Sequence, residues 1–135
     1  MSYRTVAILS AVVSVIYGLA ALVAPAALAS IFGVTFDEIA RYEARLLGGA
    51  YLGYGIVNYL TKDTADGRTQ RAVAAGNAFG WVVSLVLSTI GQLQGLSNEL
   101  GWTTIALQLV FTVLWGWTYV IAGERDPGTQ RASVR

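Results

Sequence analysis

The chain contains no cysteine and no histidine among its 135 residues. The first absence removes disulfides, thiolate nucleophiles and thiolate metal sites, and is silent on compartment. The second removes imidazole metal ligation, histidine general bases and haem ligation through histidine. Charge is also scarce: 13% of residues are charged, against about 25% in an ordinary soluble domain. Net charge is +1, so no global field draws nucleic acid, and no nucleic-acid partner is expected. A Ser-His or Cys-His pair, an H-E-x-x-H motif, a P-loop and paired membrane carboxylates are all missing. A catalytic reading therefore fails on inventory. The chain reads as non-enzymatic, with no cofactor and no metal site expected.

What is present is apolar. Hydrophobic residues make up 55% of the chain and the mean hydropathy is +0.56. Such a surface is sticky in water and favourable in lipid, so the first expected partner is the lipid bilayer. The reading is an all-α fold, an integral membrane four-helix bundle running up-down-up-down. One domain covers residues 1–123, with spans at 5–23, 44–60, 72–94 and 102–122, and a polar cytoplasmic tail at 124–135. Each span approaches the length needed to cross hydrocarbon at about 1.5 Å per residue. A competing reading makes the first run a signal peptide, with Arg4 as its basic start and Ala27-Leu28-Ala29 as its cleavage site. The uncharged run at 5–23 is longer than the roughly 7–15-residue core of such a peptide.

Between spans one and two, Pro25 starts a short surface helix and Gly33 ends it. Thr35 and Glu38 form a T-x-x-E capping box, which places the next helix start near Phe36. Residues 61–70 are the most polar stretch and read as a water-exposed turn. Four spans put both termini on one side. That side carries Arg4, Lys62, Arg68, Arg71, Arg125, Arg131 and Arg135, whereas the other carries only Arg41 and Arg45. The positive-inside rule then puts both termini in the cytoplasm, with the chain in the inner (plasma) membrane.

Functional signals are weaker than architectural ones. Gly49 with Gly53, and Gly76 with Gly80, form G-x-x-x-G pairs, as do Gly91 and Gly95. Such pairs serve packing within one bundle or a homo-oligomer interface, and the packing use is the commoner. Asn58 and Asn77 fall at matching depth on antiparallel spans, which predicts an interhelical hydrogen bond. Glu43, Arg45 and Gln92 lie at similar outer depth, so they form a candidate polar cluster with Tyr17 beside it. The bland alternative is charge snorkelling to water. Gln108, Thr112, Trp115 and Tyr119 share one face of span four. With Tyr17, Tyr51, Tyr54, Trp81 and Ser84 they suggest an aromatic-polar interior. That interior is either an ordinary packed core or a site for a small hydrophobic molecule, a lipid tail or a quinone. A small multidrug transporter also has four helices, but span one here lacks a membrane carboxylate for proton coupling.

A first span ending in Pro25, then Phe32-Gly33, then Arg45-Leu46-Leu47-Gly48 opening a glycine-rich span with Gly53 and Gly55, resembles the small bacterial DoxX-like membrane proteins. The resemblance implies a four-helix membrane fold and an accessory membrane subunit more than an enzyme, while the glycine faces suggest a homo-oligomer or a membrane protein partner.

Overall fold

The structure, a computed structural model, describes residues 1–124, with side chains to residue 122. The expected tail at 124–135 lies outside the described residues apart from Glu124. Five helices are present among them: α1 (Tyr3–Val23), α2 (Pro25–Ile31), α3 (Glu38–Thr61), α4 (Gly67–Leu93) and α5 (Gly101–Glu124). The fold is all-α.

Short polar residues set the helix starts. The Ser2 hydroxyl accepts from the Thr5 amide at 3.3 Å and opens α1. Asp37, not Thr35, caps α3, its carboxylate accepting from the Ala40 amide at 2.8 Å. The expected capping box is thus replaced by a carboxylate cap two residues later, and the helix starts at Glu38. Asp66 accepts from the amides of Arg68 and Thr69 and starts α4 at Gly67. The polar turn expected over 61–70 therefore shortens to 62–66. Two helix ends, those of α2 and α4, are made by glycine. Gly33 after α2 and Gly95 after α4 have φ of 73° and 72°. At each, two backbone bonds close the last turn: Val34 to Ala29 and Gly33 to Ser30, then Leu96 to Gly91 and Gly95 to Gln92. A left-handed residue is required there, and glycine adopts it without steric penalty.

The four long helices alternate in direction. Tyr3 bonds Thr61 at one end of the α1–α3 pair, and Gly18 meets Gly48 at the other. Arg71 pairs with Tyr119 and Gln108 with Ser88, so α4 and α5 are also antiparallel. α1 and α3 pack closely because glycine removes the intervening side chains. A Cβ at Gly48 would lie 2.8 Å from the Gly18 carbonyl oxygen. α4 and α5 are joined instead by the stacked rings of Trp81 and Phe111, 4.7 Å apart and 13° from parallel. A core of Tyr3, Val6, Ala7, Ala74, Trp81, Phe111 and Trp115 fills the centre.

The outside is apolar. Leu19, Leu46, Phe79, Leu87 and Val113 are all exposed, the reverse of a water-soluble helical protein. Three helices, α1, α4 and α5, are long and apolar enough to cross a membrane. That pattern marks a membrane protein. α3 is as long but is not in that set: besides the charges of its first turns, its glycines, tyrosines and Asn58 make it less apolar than the other three. At the opposite end from the chain start, the α4–α5 connector holds α2 down. Asn98 donates its side-chain amide to the Ile31 carbonyl at 3.0 Å and its backbone amide to Phe32 at 2.8 Å.

Candidate functional site

Two polar layers are stacked in the interior. The lower layer ties all four long helices together. Asn58 of α3 donates to Asn77 Oδ1 at 3.0 Å, and Asn77 of α4 donates back to Asn58 Oδ1 at 2.9 Å. Asn58 Nδ2 also reaches Ser10 Oγ on α1 at 3.3 Å, and Trp115 Nε1 on α5 donates to the same oxygen at 3.3 Å. The remaining Asn77 proton goes to the Val73 carbonyl at 2.8 Å. Both amides thus use their donors fully, as burial demands. Tyr3 packs its ring edge-on against Trp115.

The upper layer is one turn away and is not satisfied. Ser14 follows Ser10 by four residues, and Trp81 follows Asn77 by four. With Tyr17, Tyr51, Thr104 and Gln108 they line a cavity of about 40 Å³. Gln108 donates Nε2 to Ser88 Oγ at 3.0 Å, which fixes the amide and leaves Oε1 without a partner. Ser14 Oγ and Trp81 Nε1 are also without partners. The three residues are 1%, 8% and 7% exposed for Ser14, Trp81 and Gln108. Each buried unsatisfied group costs about 1–3 kcal/mol. Of the four such atoms among the described residues, three belong to residues that line this cavity, and the fourth, Thr112 Oγ1, lies one turn along α5 from Gln108.

Two further hollows share wall residues with the cavity. Through Tyr51 and Trp81 it adjoins a groove of about 190 Å³ between α3 and α4. Through Tyr17 and Thr104 it adjoins a recess of about 230 Å³ under Phe32, Gln92 and Ser97. Among the described residues, no Asp, Glu, Lys or Arg lines the cavity or the groove. Its chemistry is one committed donor, one committed acceptor and hydroxyls that do either. It can bind an uncharged polar group, and it holds no strong base or nucleophile to transform one.

Tyr17, Trp81 and Gln108 meet at this cavity. Tyr54 lines the adjoining groove and donates to the Gly76 carbonyl at 3.3 Å. Trp115 is not in the cavity wall, because its indole is drawn into the asparagine layer and fully buried there. The outer polar cluster is not assembled. Glu43 and Arg45 are exposed, whereas Gln92 bonds Ser97 and Asn98 of its own connector. Two residues apart on a helix, Glu43 and Arg45 point along different directions. The glycine reading also needs correction. A Cβ at Gly49, Gly53 or Gly76 would meet nothing within 4 Å, so these three do not mediate packing inside the chain. Gly80 faces only the Tyr54 hydroxyl, and close approach falls to Gly18, Gly48 and Gly55. Ser14 and Ser10 were missing from the candidate set. Their signal is the Ser10, Ser14, Gly18 spacing, a small and polar stripe on one face of an otherwise apolar span.

The chain belongs to the family described as a domain of unknown function, DUF8292, whose model matches residues 8–132. No curated protein and no solved structure matches it.

Proposed function

For this member of the DUF8292 family, we propose a four-span integral membrane protein that binds a small hydrophobic molecule through its polar end in the bundle interior. The fourth span is α3. From Gly48 to Thr61 it packs against α1, with Gly18–Gly48 at one end and Tyr3–Thr61 at the other, so this part shares the depth of a helix that is itself apolar enough to cross. Its charges are confined to its first turns, and residues 46–61 carry none. Arg41 and Arg45 are exposed and can snorkel to the interface. The excess of basic residues beside the termini and the α3–α4 turn supports cytoplasmic termini in a plasma membrane.

The observation that carries the binding reading is that three of the residues lining one cavity each bear an unpartnered buried polar atom. A packed core satisfies such groups or does without them. The test is extraction and mass analysis of small molecules retained by the purified protein. Wild type is expected to retain a defined hydrophobic species, and Gln108→Leu and Trp81→Phe to lose it while keeping the fold. Equal retention by all three would refute the reading.

A second reading, self-association or service as an accessory subunit, draws on Gly49 and Gly53, which face outward with open space before them. The DoxX-like resemblance of residues 25–55 is consistent with it. Crosslinking in native membranes that yields only monomers and no partner would count against it.

A further inference from the structure

Resting on the binding reading above, we infer that the occupant is an uncharged single-chain amphiphile with a hydroxyl end, and that it reaches the cavity sideways from the bilayer between α3 and α4. The groove there is walled by Leu47, Tyr51 and Tyr54 on one side and by Gly76, Gly80 and Ser84 on the other. α3 and α4 touch far less than the close pairs α1–α3 and α4–α5. Gly76 and Gly80 line the groove from α4. They take side chains away from the α4 wall, so that a Cβ at Gly76 would meet nothing and one at Gly80 only the Tyr54 hydroxyl at 3.2 Å. Tyr54 bridges to the Gly76 carbonyl and closes the groove at the end nearest the asparagine layer. At its inner edge, Tyr51 and Trp81 belong to groove and cavity alike. A chain lying in the groove thus brings its end up to Trp81, one of the side chains that carry the unpartnered atoms.

The atoms specify that end. Trp81 Nε1 only donates and Gln108 Oε1 only accepts. A hydroxyl has the capacity to answer both, because it can accept from an indole and donate to an amide oxygen. A lone carbonyl leaves Gln108 unmet. A charged head would be buried without a counter-ion, since no ionised side chain lines cavity or groove. A cavity of about 40 Å³ seats a hydroxyl but excludes a sugar or a phosphate.

The experiment is photolabelling of the full chain in phosphatidylcholine vesicles. The probe is hexadecanol carrying a mid-chain diazirine, with excess plain hexadecanol as competitor. A matched probe ends in sulfonate. The expected result is competable labelling at 47–54 and 76–84, at least tenfold weaker with the sulfonate. Gly76→Leu fills the groove at a site with free space and is expected to cut labelling at least tenfold. Ala50→Leu repeats that test from the opposite wall, so failure of one variant to fold leaves the other decisive. Gly53→Leu, exposed and off the groove, keeps wild-type labelling. Competable labelling that Gln108→Leu abolishes but Gly76→Leu and Ala50→Leu leave intact would overturn the lateral route and preserve interior binding. Equal labelling by the sulfonate would overturn the uncharged hydroxyl head. Labelling that no competitor reduces is bulk lipid contact and would overturn both the inference and the binding reading.

Discussion

Asn58 and Asn77 exchange two hydrogen bonds, of 3.0 and 2.9 Å, across the α3–α4 interface. The pair sits directly below the unsatisfied layer. One polar layer therefore holds the helices together while the next is left available.

Removing one asparagine strands the other. Asn77→Ala is expected to destabilise the fold by about 1–3 kcal/mol, the penalty of a buried unpaired amide. The double variant Asn58→Leu with Asn77→Leu should lose less than the sum of the two single changes. Denaturation midpoints in a mild detergent measure both, and strict additivity would mean that the bonds do not form.

Gly48 and Gly49 adjoin in sequence but should behave oppositely. Alanine at Gly48 drives a Cβ against the backbone of Gly18 and Leu22. A loss of about 1–3 kcal/mol follows from overpacking. Alanine at Gly49 meets nothing and should gain about 0.5–1 kcal/mol from the reduced flexibility of the unfolded chain and better helix propensity. Equal effects in a stability comparison would show that α3 is rotated from the orientation described.

Gln108→Met separates the two roles of that amide. It loses one hydrogen bond to Ser88, worth about 1 kcal/mol, and removes an orphaned carbonyl worth about 1–3 kcal/mol. In ligand-free protein the change should lie within about 1 kcal/mol of wild type. A loss well beyond 2 kcal/mol would mean that the carbonyl has a strong partner inside the protein.

The α3–α4 turn should respond to acid. The Thr69 hydroxyl and the Thr69 amide hold the Asp66 carboxyl below the usual carboxylate range. Asp63 is held low by Lys62 first and by Arg4 after it. A group whose folded pKa is depressed stabilises above its ordinary pKa and loses that contribution as pH falls through the folded value. Amide exchange at 67–70 is therefore expected to be slow at neutral pH and to lose protection below about pH 4, where carboxylates titrate. Asp66→Asn should flatten that dependence, and an unchanged profile would refute the role of this cap.

Much of the architecture was legible because it follows composition and periodicity. The uncharged run at 5–23 lies within α1, and the deep asparagines lie where antiparallel neighbours must put them at equal depth. What escaped was rotation. G-x-x-x-G spacing says that two glycines share a face, but not which face turns inward. Gly48 and Gly55 were passed over for Gly49 and Gly53 because the residues that decide the rotation, Gly18 and Ala11, are on another helix. Trp115 was read as lining a site for the same reason. Its aromatic face was visible, whereas the Ser10 oxygen that captures its indole is 105 residues away in sequence. The polar turn was overestimated because Asp66 acts as a cap through its side chain, which makes the polar residues after it helical.

The most direct test of interior binding is native mass spectrometry of the protein released from lipid nanodiscs, wild type beside Gln108→Leu. The expected spectrum shows wild type carrying one discrete small-molecule adduct per chain and the variant at its bare mass, both folded. Identical spectra, whether both bare or both carrying the same scatter of lipids, would contradict a binding site at Ser14, Trp81 and Gln108.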